Sequence, residues 1–192
     1  MEEASILYFS RSGPENTPLA LERAVKRAKE LELGYIVVAS SSGETGLLLL
    51  EKAQELHYQG KVVVVTYHAG FGGGDELSLS PMREAELRAA GAVVVRSSHA
   101  LSGVSRSFRE RFGGVSIPEV IAESFRRISE GFKVAVEVSM MAADAGAVPT
   151  TGDVVSLGGK GRGVDTVLVL RPAHQNSFFQ LKVKEILCFP KS

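Results

Sequence analysis

The sequence predicts a three-layer α/β/α domain with a mostly parallel sheet and an antiparallel C-terminal strand. Three observations predict it. The runs "YIVVAS" (35–40) and "KVVVVTYH" (61–68) are β-branched and apolar without polar alternation, the pattern of strands buried on both faces. Helical periodicity lies between such runs. After about residue 150, strand-like runs cluster without an intervening helix, which adds antiparallel pairing to a βα-built sheet. A length of 192 residues suits one domain with a sizeable core, spanning 1–192.

The elements follow in order. "SILYF" (5–9) is a short strand. Thr17 before Pro18 reads as an N-cap with proline at the first helical position. Leu21, Ala24, Val25, Ala28 and Leu31 then recur at helical spacing, and Gly34 closes the segment. After the strand at 35–40, a helix over about 45–58 carries the stripe Leu49, Leu50, Ala53 and Leu56. The strand at 61–68 leads into a glycine-rich loop. Ser80-Pro81 again reads as cap and helix start, with the helix reaching about Ala90. "GAVVVRSSH" is a strand ending near Arg96.

The middle is less regular. Residues 100–116 read as a loop with short helical pieces, and Pro118 opens a helix with Val120, Ile121, Phe125 and Ile128 on one side. "FKVAVEVSMMAADAGAVP" fits a strand through Val134, Val136 and Val138, or a helix through Val134, Val138, Met141, Ala142 and Ala145. Its length and the glycine at 146 favour helix. "DVVSLGG" and "DTVLVLRPA" are strands around the loop "GGKGRGVD". "LKVKEILCFP" alternates Lys182 and Lys184 with apolar neighbours, as an edge or half-exposed strand does.

Composition excludes some functions. The chain is 44% hydrophobic with a formal net charge of zero, so bulk charge argues for neither nucleic acid nor an anionic membrane as partner. No apolar run approaches the ~18 residues of a membrane span. Met1 precedes two glutamates and a short apolar run, which lacks the basic region and longer apolar core of a signal peptide. Cys188 is the single cysteine, so no intrachain disulfide forms. The expected location is cytoplasmic.

In open α/β sheets, ligands bind beyond the carboxyl ends of the strands. Three loops there carry chemistry. In "SSSGETG", Ser41, Ser42 and Gly43 precede a helix whose free N–H groups and dipole favour an anion, with Thr45 adding a hydroxyl. The same residues also serve as an ordinary helix cap. In "TYHAGFGGGD", Thr66, Tyr67, His68, Gly70 and Phe71 combine planar side chains with flexible glycines. They suit a ring system, or else a packed aromatic anchor. In "GGKGRGVDT", Gly159, Lys160, Arg162 and Thr166 fit either an anion nest with counter-charges or a hairpin turn. That loop has neither the phosphate-loop Lys-Ser/Thr ending nor the dinucleotide glycine spacing.

His68, His99 and His174 each follow a predicted strand. Gathered at one end of the sheet they would suit zinc and a hydrolase, but no metal spacing motif supports this and no metal is assigned. Ser97 or Ser98 with a histidine and Asp144 or Asp165 form a nominal triad, without a nucleophile elbow.

The phrase "YIVVASSSGETG" followed by "KVVVVTYHAGF", with the late "GGKGRGVDTVLVL", resembles the C-terminal domain of pyruvate kinase. In that domain a Ser-Gly turn between strand and helix holds a phosphate of an allosteric sugar bisphosphate. The phrases "YFSRSGPENT", "VVASSSG", "SHALSG", "MAADAGAVP" and "RPAHQNSFF" are similar to those of a free-standing archaeal family built on this domain. The catalytic barrel of the kinase is absent from the pattern, so the resemblance does not imply action on pyruvate. It implies a pyruvate kinase C-terminal domain-like fold, bound flavin mononucleotide (FMN), and subunit contacts consistent with a homo-oligomer. The phosphate would sit at Ser41, Ser42, Gly43 and Thr45, and the ring near Tyr67, His68 and Phe71. Glu44 stands where the kinase turn carries a basic residue, which favours a ligand with one phosphate over a bisphosphate. The leading expectation is thus a protein that binds a phosphorylated small molecule, FMN first, with His68 or His99 as proton donor if a redox reaction occurs. The alternative is a regulatory module that senses a phosphorylated metabolite without catalysis.

Overall fold

Helix α1 (Thr17–Glu30) shows how directly pattern becomes packing. Ala20, Leu21, Ala24, Val25 and Ala28 are all buried, the spacing of a single apolar stripe. The alanines bring the helix close to the sheet, and Leu21 and Val25 each contribute about 1.5–3 kcal/mol of burial. These features come from a computed structural model that describes residues 4–192. The acidic start on which the signal-peptide reading rests, residues 1–3, lies outside them.

The remaining elements, in chain order, are β1 (Leu7–Phe9), β2 (Tyr35–Ala39), α2 (Glu44–Glu55), β3 (Lys61–Tyr67), α3 (Pro81–Ala89), β4 (Val93–Ser97), α4 (Gly103–Phe112), α5 (Ile117–Arg126), α6 (Glu130–Asp144), β5 (Val154–Gly158), β6 (Thr166–Arg171) and β7 (Lys182–Pro190). The described strands form one seven-stranded sheet in the order β1-β7-β6-β5-β2-β3-β4. Strand β6 pairs antiparallel with both β5 and β7, and every other pair is parallel. The expected mixed sheet is therefore present, with β6 as the reversed strand.

Alternate residues feed two cores. Ile36, Val38, Val62, Val64, Val155 and Leu157 meet α1, α2 and α3 on one face. Val37, Val63, Val65, Val154 and Leu168 meet α6 and its neighbours on the other. This is the three-layer arrangement, with α6 as the central helix of the second layer. Among its fifteen residues twelve are buried, which explains its ambiguous sequence: a helix covered on nearly all sides has no polar stripe to reveal its period. Gly146, at φ 68, follows its end, where Ala147 N donates to Ala142 O.

Two expectations are corrected and a third is narrowed. Thr17 does not cap α1; its Oγ1 accepts from Val164 N at 3.0 Å and tethers the β5–β6 loop. Residues 103–112 form a continuous helix, although none of them is buried. Of the two readings of β7, edge or half-exposed, the second holds: β1 pairs with Cys188, Phe189 and Pro190, while Lys182 and Lys184 are exposed. Its lysine-bearing first half extends beyond three-residue β1, so the alternation there reflects a locally uncovered stretch. Among the described residues, no helix is long and apolar enough to cross a membrane.

Parallel pairing aligns the C-terminal ends of β2, β3, β4 and β5 on one side of the molecule. The reversal of β6 brings the β5–β6 loop to that side and sends the chain after β6 to the opposite side. β2 and β5 are neighbours whose onward connections diverge, which leaves a crevice between them.

Candidate functional site

The serine turn extends from β2. Ser40 N donates to Val65 O at 2.9 Å, and its Oγ accepts from Gly46 N at 3.2 Å. Ser40 thus satisfies one amide of the first turn of α2 from six residues back. Gly43 is the N-cap at φ 88, and a Cβ there would lie 2.5 Å from Arg83 Cγ. Both the left-handed backbone and the close approach require glycine. Thr66 Oγ1 donates to Ser41 O at 3.1 Å, bracing the turn against β3. Among the described residues, no protein acceptor takes the amides of Ser42, Gly43, Glu44 or Thr45. The positive end of α2 and the hydroxyls of Ser42 and Thr45 border the same crevice.

The crevice is a cavity of about 240 Å³. Across from the serine turn, the β5–β6 loop supplies Gly159, Lys160 and Arg162. Neither cationic side chain forms an ion pair among the described residues. This loop is held close to α6 by a glycine pair. A Cβ on Gly158 would lie 2.2 Å from Gly131 O, and one on Gly131 would lie 2.3 Å from Thr166 Oγ1. Thr166 itself is fully buried, and its hydroxyl lies 3.0 Å from both Ser129 Oγ and Asp165 Oδ1. Burial pushes the Asp165 carboxyl above its ordinary range.

Aromatic side chains form a third wall. Tyr67 and Phe71 have ring centroids 4.2 Å apart, and Phe71 stacks on His99 at 4.6 Å. His68 meets both Phe71 and His99 edge-on, while its Nδ1 lies 2.5 Å from Ala69 O. The Arg106 guanidinium lies over the Phe71 ring at 5.1 Å. His99 Nδ1 is buried and has no hydrogen-bond partner. Burial lowers the pKa of His99; Glu137 opposes this, while Lys133, His68 and Arg106 reinforce it. The imidazole is therefore held toward its neutral form.

Helix α6 completes the cavity. Lys133 and Glu137, four residues apart, form a buried ion pair with 8% and 3% side-chain exposure. Glu137 Oε1 also accepts from Leu101 N at 2.9 Å, which anchors the chain just after His99. Around the cavity, Arg106, Arg126, Lys133, Lys160 and Arg162 stand against Glu44, Glu130 and Glu137. A chain of zero net charge thus concentrates positive charge here.

The structure gathers Ser41, Ser42, Thr45, Thr66, Tyr67, Phe71, Gly159, Lys160, Arg162 and His99 around one cavity. Gly43 shapes the turn without lining it. His68 touches the aromatic wall and Gly70 lies between His68 and Phe71 in the chain, but neither lines the cavity, and Thr166 is fully buried. His174 is remote from the other two histidines because β6 is reversed. Its Nδ1 lies 3.1 Å from Asp144 Oδ1, so neither the three-histidine cluster nor a triad through Asp144 assembles at the cavity. Sequence reading missed Arg106, Arg126, Glu130, Lys133 and Glu137, all contributed by α4, α5 or α6. The i,i+4 spacing of Lys133 and Glu137 inside an apolar run was the available signal.

Comparison with known proteins adds two findings. The family described as pyruvate kinase, alpha/beta domain, matches residues 20–170. A solved structure of a hydrogen sulfide-producing enzyme from Fusobacterium nucleatum is similar at 16% identity with a TM-score of 0.31. That match covers 72% of this chain and 43% of the other, so the chain spans less than half the length of that enzyme.

Proposed function

The chain belongs to the pyruvate kinase alpha/beta domain family, and from that premise we propose that it binds a phosphorylated small molecule, FMN first, in the crevice between β2 and β5. The observation that carries this reading is that the serine turn, whose amides from Ser42 to Thr45 take no protein acceptor among the described residues, lines one cavity together with Lys160 and Arg162. Backbone N–H groups, two hydroxyls and two free cations provide what a phosphate requires.

The residues present also fit a flavin. Tyr67, Phe71 and His99 offer planar surfaces on the same cavity, and the orphaned Nδ1 of His99 lacks the partner that a heteroatom-rich ring edge supplies. FMN, when bound, supplies electron chemistry of its own. The chain's residues do the rest. The serine turn fixes the phosphate, Lys160 and Arg162 neutralise it, and the aromatic wall orients the ring. His99, held neutral by burial, exchanges a hydrogen bond at Nδ1 and takes up a proton only as pH falls.

The second reading is a regulatory module for a smaller phosphorylated metabolite. It is favoured by one observation: Tyr67, Phe71 and His99 already stack on one another at 4.2 and 4.6 Å. A ligand without a large ring would leave that cluster intact.

The test is a fluorescence titration of the protein with FMN and, separately, with sugar phosphates. Ser42→Ala combined with Thr45→Val is expected to weaken FMN by about tenfold or more, the loss of two hydrogen bonds to an anion. Unchanged FMN affinity in that double variant removes the serine turn from the site. Binding of sugar phosphates with no binding of FMN selects the regulatory reading.

A further inference from the structure

A second cavity, of about 380 Å³, lies between α4 and α5. It adjoins the first: Arg106, Arg126, Glu130 and Lys133 line both. Its wall is mostly polar and carries five basic residues, the three shared ones with Arg109 and Arg127, against Glu119, Glu123 and Glu130. Most of these charges are matched. Arg109 pairs with Glu119, Arg126 with Glu123 and Glu130, Arg127 with Glu123, and Lys133 with Glu137. Arg106 has no carboxylate partner among the described residues; its guanidinium lies against the Phe71 ring.

A second group is unmatched. Ser116 lines this cavity, and its Oγ, buried beside it, has no hydrogen-bond partner. Ser116 is the N-cap of α5, yet its side chain makes no cap bond. An unmatched cation and an orphaned buried hydroxyl on one small polar cavity are complementary to a single anionic acceptor.

We propose that this cavity takes the carboxylate of a small organic acid, bound beside the phosphorylated ligand as its co-ligand or substrate. Arg106 serves both ligands: its charge faces the carboxylate, and its contact with Phe71 ties that charge to the aromatic wall. With Glu137 counted as the partner of Lys133, one positive charge is left over; this favours a monocarboxylate over a second phosphate, because the remaining cations already hold carboxylates. The word substrate rests on the phosphate-site reading; the cavity and its unmatched groups do not.

The experiment is a titration of ¹⁵N-labelled protein with propionate, with and without FMN, followed by amide NMR. The expected result is saturable shifts at Leu101, Ser102, Ser105, Ser116 and Glu119 in both titrations. Arg106→Gln is expected to weaken propionate by about tenfold, as loss of one charged hydrogen bond does. Arg106 is exposed, so the variant folds. Ser116→Ala serves as a second probe, expected to weaken propionate while FMN affinity stays the same. The proposal is overturned if propionate gives no saturable shift at those amides, or if its shifts are confined to Ser42, Gly43, Glu44 and Thr45. FMN failing to bind while propionate still saturates the α4–α5 amides would overturn the flavin reading and leave this one standing.

Discussion

Helices α1 and α4 both place apolar residues at helical spacing, and they meet opposite fates. In α1, Leu21 and Val25 are 2% and 0% exposed. In α4, Val104, Phe108 and Phe112 are 74%, 61% and 71% exposed. The difference lies in the residues between. Both helices carry basic residues, but Ala20, Ala24 and Ala28 widen the α1 stripe and let it settle on the sheet, whereas Ser105, Ser107, Arg109 and Arg111 flank the narrow stripe of α4. One helix is part of the core, and the other forms a wall of two cavities. Periodicity reveals that a helix exists, but packing decides whether its apolar face is covered. In this molecule α4, the lightly packed helix, borders both candidate ligand cavities.

The largest expected effect concerns the point where α6 and the β5–β6 loop touch. Gly158→Val would drive a side chain into Gly131 O, and it is expected either to prevent folding or to cost more than ~3 kcal/mol in denaturant unfolding. Next is Lys133→Met, which leaves Glu137 buried and charged without its partner; a loss of about 3–5 kcal/mol is expected. A loss below about 1 kcal/mol in the same unfolding measurement would show that the pair is solvated.

The contrast between the helices is then tested directly. Leu21→Ala in α1 is expected to cost about 2–5 kcal/mol, and Phe108→Ala in α4 no more than about 0.5 kcal/mol. Thermal unfolding of the two variants side by side measures this. Equal losses would mean that Phe108 is covered in solution and that the contrast is false.

The smallest expected effect is a pH dependence. The folded-state pKa of His99 is depressed, chiefly by burial. The unfolded chain therefore binds the proton more readily, and stability rises with pH across that range. The contribution is full above the unfolded value of about 6.5 and is lost as pH falls toward the folded value. Unfolding measured as a function of pH is expected to show a shallower acid slope in His99→Gln than in the parent. A matching slope would assign the acid sensitivity to other groups.

The centre of the sheet was legible because β2, β3 and β4 carry unbroken valine-rich runs, and α1 and α3 because proline and a periodic stripe mark them. Ser80 of Ser80-Pro81 does cap α3, accepting from Arg83 N at 3.2 Å, while Thr17, in the similar Thr17-Pro18 pair, is used to bind a distant loop. A local signal cannot distinguish a cap from a tether 147 residues away. Half of the cavity was legible for a related reason. The serine turn, the aromatic loop and the "GGKGRG" loop all follow strands, where the fold places ligands. The α4–α6 wall was not, because its charges lie on helices whose orientation toward the crevice follows from the crossover between β4 and β5. The reversal of β6 also carried His174 away from His68 and His99, which stay in contact, and strand direction is a tertiary property that residue types do not encode.

The measurement that tests the central claim most directly is the near-UV and visible absorbance of the purified protein, with mass spectrometry of whatever heat releases. The account expects a flavin spectrum and release of FMN at near one equivalent per chain. A colourless protein that also takes up no added FMN would contradict the flavin reading. A colourless protein that binds neither FMN nor sugar phosphates would contradict the phosphate site itself.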